Sequence, residues 1–171
     1  GMELLLRRAL SRRLFGWIAY TLSRSTRDFP DDGTLPSDFD QTHLLNVVAS
    51  YEFGYGFRAG ARFSYHTGRP VTPRIDSAFP IDLPGSRNSF RLPPFWRLDA
   101  RVEKHWRFGD VDVNVYLDFA NVTLNKETLD YRCYADLSGL TCTPFEIGPV
   151  AFFSLGVEAA DLLGRLFWMQ G

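Results

Sequence analysis

The chain has 171 residues and a formal net charge of −1, with 19 Lys and Arg nearly balanced by 20 Asp and Glu. That length suits one domain, and the even balance excludes nucleic acid, which demands a concentrated basic face. No run approaches the ~20 apolar residues of a membrane helix. Aromatic residues make up 15%, with 15 Phe, which is high for a soluble domain. No secretory signal opens the chain, so the expectation is a cytosolic protein, a mature protein or a fragment.

Period-two alternation recurs along the sequence and predicts strands. In chain order they fall at 2–10, 14–25, 42–53, 57–67, 95–107, 111–124 and 151–160. "GWIAYTLS" sets Ile18, Tyr20 and Leu22 against Ala19, Thr21 and Ser23. "LLNVVASY" sets Leu45, Val47, Ala49 and Tyr51 against Asn46, Val48 and Ser50. "FRAGARFSYH" opposes Phe57, Ala59, Ala61, Phe63 and Tyr65 to Arg58, Gly60, Arg62, Ser64 and His66. "WRLDARVE" opposes Trp96, Leu98, Ala100 and Val102 to Arg97, Asp99, Arg101 and Glu103. "VDVNVYLDF" opposes Val111, Val113, Val115, Leu117 and Phe119 to Asp112, Asn114, Tyr116 and Asp118. Helical periodicity is absent except from Ala159 onward. An eighth strand would fall within 126–135 or in the tail at 161–169.

The connections alternate in length. Tight turns at 11–13, 54–56 and 108–110 alternate with long stretches at 25–41, 67–94 and 124–150. The middle one carries Pro70, Pro73, Pro80, Pro84, Pro93 and Pro94 and cannot be strand throughout. This rhythm predicts an up-and-down antiparallel sheet with its tight turns at one end. Successive charges at Arg97, Asp99, Arg101 and Glu103 need water or one another, so the polar face looks into a wet lumen. The apolar face then looks into lipid, as in an outer-membrane barrel. Aromatic residues near strand ends fit interfacial girdles: Phe15, Trp17, Tyr51, Phe53, Tyr55, Phe57, Trp106 and Phe108. A soluble antiparallel barrel or sandwich binding an apolar ligand is the alternative; an outer-membrane enzyme is a third.

Five phrases carry a resemblance: "ELLLRRALSRRLFGWIAYTLSRS", "FDQTHLLNVVASYEF", "GFRAGARFSYHTGRPVTP", "NSFRLPPFWRLDARVEKHWRF" and "VYLDFANVTL". In that order they resemble the C-terminal barrel portion of TonB-dependent outer-membrane receptors, and "FFSLGVEA" (152–159) resembles the start of that family's last strand. The resemblance implies a 22-stranded barrel with an N-terminal plug, importing nutrients such as iron chelates across the outer membrane of a Gram-negative bacterium. Its implied partners are outer-membrane lipid, the remaining barrel strands and the plug. The energy-coupling complex would be reached only through the plug, for which this stretch has no room. Seven strands cannot close antiparallel, so the expectation is a transmembrane β-barrel segment over 1–160, a piece or remnant of a receptor. The tail, 161–171, departs from the family pattern by continuing past its final motif.

Arg58, Arg62, Arg97, Asp99, Arg101, Glu103, Asp112, Asn114 and Asp118 are the expected lumen lining. Asp99, Asp112 and Asp118 are read as lumen charges paired with Arg97 and Arg101 rather than as catalytic carboxylates. No Ser lies in a nucleophile-elbow pattern, so no enzyme activity is expected. His43 and His66 fall near the loop end and His105 near the turn end, so no metal site is expected, and no cofactor. Asp28, Asp31 and Asp32 in "DFPDDG" are read as a solvated loop rather than a calcium site. Arg69, Arg74, Arg87 and Arg91 are candidate external-loop contacts for an anionic ligand. Cys133 and Cys142, nine residues apart, are expected to form a disulfide, which implies an oxidising compartment.

Overall fold

The computed structural model describes residues 1–11, 13–75, 81–82, 87–136 and 139–161. The described residues form fifteen strands and contain no helix. In chain order they are β1 (Met2–Ser11), β2 (Leu14–Leu22), β3 (Thr26–Phe29), β4 (Gly33–Pro36), β5 (His43–Gly54) and β6 (Phe57–His66). Then come β7 (Pro70–Val71), β8 (Arg74–Ile75), β9 (Ile81–Asp82), β10 (Phe90–Arg91) and β11 (Phe95–Phe108). Last are β12 (Val111–Ala120), β13 (Glu127–Asp136), β14 (Gly139–Ile147) and β15 (Phe152–Asp161).

Seven of these form one antiparallel sheet in the order β1-β2-β5-β6-β11-β12-β15. They are the seven strands that the alternation predicts, joined as an up-and-down meander. Ala159 to Asp161 continue β15 as strand rather than starting a helix; the remainder of the tail, 162–171, lies outside the described residues. Among the described residues β1 and β15 are each paired on one side only, so the sheet is open and not a closed barrel. The stretch 126–135 does hold a strand, β13, but it pairs with β14 and β8 and adds nothing to the main sheet.

Pairing register gives each face its composition, because a one-residue slip would exchange the faces. One row runs Leu6, Ile18, Val47, Phe63, Leu98 across five strands. Another runs Val102, Leu117, Leu155. The opposite face carries Ala19, Asn46, Ser64, Arg97 in one row and Ser50, Gly60, Arg101, Asp118, Ser154 in another. The apolar face is uncovered: Phe153, Leu155 and Val157 are 75%, 69% and 65% exposed.

Two expected elements end early. β2 stops at Leu22 rather than 25, where Ser23 turns its backbone N–H to the Thr42 carbonyl. β12 stops at Ala120 rather than 124, because Asn121 takes a left-handed conformation (φ 52°). The Asn121 side-chain oxygen accepts from the Asn125 N–H (3.2 Å) and Thr123 Oγ1 (3.2 Å), building a local turn.

The described parts of the long connections hold further strands. β3 and β4 form a hairpin, β7 pairs with β10, and β14, β13, β8 and β9 make a four-stranded sheet. β3, β4 and β7 to β10 are two to four residues long, too short to show alternation, whereas β13 falls where an eighth strand is expected and β14 does not alternate cleanly. In the last hairpin Cys133 lies directly opposite Cys142 and the two are joined by a disulfide, with Cys133 fully buried. The bond closes a short loop, so a Cys133→Ser, Cys142→Ser double variant should lose about 2–3 kcal/mol of local stability. Limited proteolysis should then cut within 127–147 first, whereas the oxidised parent resists at the same protease concentration.

Candidate binding surface: a charged concave face

The polar face lines a concavity of about 590 Å³ whose walls include Phe15, Arg58, Arg62, Asp99, Arg101 and Phe152. Its charges are joined across strands. Arg58 of β6 bonds both Glu52 of β5 and Glu103 of β11, the latter at 2.8 Å. Glu103 also accepts from Arg101 (3.1 Å), and Arg101 reaches Asp118 of β12 (3.4 Å). One chain of five charges thus crosses four strands. A second group joins Arg62 Nη2 to Asp99 (2.7 Å), with Arg97 Nε 3.1 Å from the same carboxylate. Asp99 also accepts the Asn121 backbone N–H at 2.9 Å, tying these charges to the turn that ends β12.

The sequence expectation is corrected in its pairings. Asp99 does meet Arg97 and Asp118 does meet Arg101, but Asp112 bonds Arg107 at 2.8 Å and lies 3.3 Å from His105. The reason is register: Arg107 is directly opposite Asp112, whereas Arg101 sits six positions up β11. Asn114 faces the same side, opposite His105, and its Oδ1 is buried without a hydrogen-bond partner. Arg101 also lies 3.8 Å over the Tyr116 ring. That ring occupies the space above Gly156, where an added Cβ would overlap it. All nine expected lining residues therefore share one face.

A second correction concerns aromatics. Phe15 and Trp17 are opposite Ser50 and Val48, so they face the concave side and are not part of an outer girdle. Ile18 takes the outer position beside them. Arg7, opposite Trp17, places its guanidinium 6.0 Å from the Phe15 ring. Tyr51, Phe53, Phe57, Trp106 and Phe108 do remain exposed near the tight turns.

At the other end the loops interlock. Asp40, only 4% exposed, accepts the Ser25 N–H (2.7 Å) and the Arg91 guanidinium (2.6 Å). Arg91 also donates to the Asp40 and Gly68 carbonyls (2.9 and 2.8 Å). Asn88 donates to the Pro36 carbonyl (2.7 Å) and Asp38 (2.8 Å). Arg69 donates to the Leu129 carbonyl (3.0 Å). Arg87 bonds Asp32 (2.9 Å) and covers the Phe29 ring at 4.4 Å. Of the four candidate ligand contacts, Arg69, Arg87 and Arg91 therefore hold loop to loop; Arg74 lies in β8 beside Arg132. Asp40 and Asn88, the centres of this assembly, escape sequence reasoning because their partners lie some fifty positions away.

The remaining candidates are dispersed. His43 bonds Tyr20 (2.8 Å) and His66 bonds Gln41 (3.2 Å) at the loop end, while His105 is at the turn end. Asp28 accepts from Thr34 within the β3–β4 hairpin and Asp32 is taken by Arg87. Among the described residues no three His, Cys, Asp or Glu side chains converge as metal ligands. The chain matches no protein-family model, no curated protein and no solved structure.

Burial pushes the Asp40 carboxyl up, but the Ser25 N–H and the Arg91 guanidinium outweigh it and hold it below the ordinary 3.8. A carboxylate lowered on folding stabilises the folded state above its unfolded value and loses that contribution as pH falls through the folded one. The loop assembly should therefore hold at neutral pH and loosen only below 3.8. Hydrogen exchange at the Ser25 amide should accelerate in that acid range, beyond the intrinsic pH trend. An Asp40→Asn variant should exchange fast at every pH.

Proposed function

We propose that the seven-stranded sheet is a segment of the wall of a transmembrane β-barrel in a Gram-negative outer membrane, of the kind that TonB-dependent nutrient receptors use. The observation that carries this reading is the uncovered apolar face, continuous across seven strands and backed by an ion-paired face. In water such a face is an association hazard; in hydrocarbon it is the required surface.

Strand geometry supports the same reading. The row through Leu14 and Tyr51 meets the first tight turn, and it continues through Ala59, Val102 and Leu117. The third tight turn lies six positions farther along, at Phe108 and Val111 (108 − 102 = 6). Six residues of stagger over four strand steps, at ~3.3 Å per residue and ~4.8 Å per strand, give a tilt of roughly 45°. That is the tilt of membrane-spanning strands. Trp96 and Trp106 share the apolar face of β11 ten positions apart (106 − 96 = 10). At that tilt they are separated by roughly 23 Å in height, close to the ~25 Å apolar band between aromatic girdles.

β1 and β15 run in the same direction, as first and seventh strands of a meander. Closure with antiparallel junctions on both sides therefore needs an odd number of further strands. Those strands and a plug are the proposed partners, and lipid the proposed solvent, since unpaired edges cannot survive facing hydrocarbon. The wall's part in transport is to enclose the watery path and present the loop assembly at its mouth. The disulfide between Cys133 and Cys142 suits the oxidising side of the cell envelope.

Substitution on opposite faces tests the assignment. Leu117→Arg, opposite Val102 and about midway between the two tryptophans, should cost roughly 2–4 kcal/mol in lipid, and Asn114→Arg much less. Reversible unfolding in vesicles measures both; equal penalties contradict the lipid-facing assignment.

A further inference from the structure

Five cations of the concave face, Arg58, Arg62, Arg97, Arg101 and Arg107, each contact a carboxylate. The apolar face of the main sheet carries two cations among the described residues, Arg8 opposite Gly16 and Lys104 between Phe57 and Val115. Each lies close to a tight turn, Arg8 three positions before Ser11 and Lys104 four before Phe108. They therefore stand at a similar height on the sheet.

Lys104 has no carboxylate within ion-pair distance among the described residues. Its ammonium donates to the Tyr55 carbonyl and lies 4.0 Å from the Phe57 ring centroid and 5.5 Å from that of Trp106. These contacts bend the side chain toward the turn, out of the apolar band and into the aromatic girdle. A long cation does this at a membrane surface, keeping its stem in hydrocarbon and its charge at the headgroups. An ammonium has three N–H donors and the Tyr55 carbonyl takes one, which leaves two to meet an anion.

We propose that Lys104 is a headgroup site for an anionic phospholipid in the leaflet on the tight-turn side, its ammonium on the lipid phosphate and its girdle rings on the adjoining acyl chain and glycerol. This rests on the lipid-facing reading of the apolar face. It adds a residue-level contact that fixes the depth of β11 and names which leaflet the turns meet.

The test is partition of the full chain between phosphatidylcholine vesicles and vesicles in which part of that lipid is replaced by phosphatidylglycerol. The expected result is tighter association with phosphatidylglycerol, reduced about fivefold by Lys104→Gln and kept by Lys104→Arg. Lys126→Gln, which removes an exposed loop cation, serves as control and should leave the preference unchanged. A Lys104→Gln variant that keeps the full preference overturns the proposal while leaving the lipid-facing reading intact. A chain that associates with neither vesicle overturns both.

Discussion

Everything in this fold depends on one constraint, that seven strands hold their pairing register without a slip. Side chains alternate, so a shift of one residue in any strand would carry its charges onto the apolar face. The bulges beside the turns, between Arg8 and Ser11 and between Glu52 and Gly54, fall at strand ends where a local irregularity does not propagate. The tight turns add their own geometry. Gly56 has φ 78°, and a side chain there would strike the His105 carbonyl, so β6 leaves its turn only where glycine permits the approach.

The charge chain is a register device as well as a lining. Glu52, Arg58, Glu103, Arg101 and Asp118 meet only when β5, β6, β11 and β12 are aligned as observed. Each such pair, half exposed, contributes at most about 1 kcal/mol in water. Their worth lies in discrimination: slipped strands would set charges on the apolar face or against like charges. The same face gives the Tyr116 ring its seat over Gly156 and under Arg101, a packing that also exists in one register only.

The main strands were legible because each spans nine or more residues, long enough for alternation to stand out, and the charged residues of β11 and β12 were placed by the same pattern. What stayed hidden depends on pairing between distant segments. Phe15 and Trp17 read as girdle residues from their nearness to a turn, but only the partner strand decides that they face Ser50 and Val48. Arg107 opposite Asp112 follows from the register of the β11–β12 turn, Phe108 against Val111, which alternation alone does not set. The loop assembly around Asp40, Arg91 and Asn88 carries no periodic signal, and its longest-range bonds join residues fifty or more positions apart. The strands inside the connections are two to four residues long in β3, β4 and β7 to β10, below the length at which any pattern shows.

The central claim is that one face of this sheet meets lipid and the other meets water. Single cysteines at each position from 111 to 119, spin-labelled in the chain reconstituted into vesicles, read this directly through collision with oxygen and with a water-soluble nickel chelate. The account predicts a period of two: oxygen accessibility peaking at 111, 113, 115, 117 and 119, and chelate accessibility at the positions between. Nickel accessibility that is equally high at every position would contradict it.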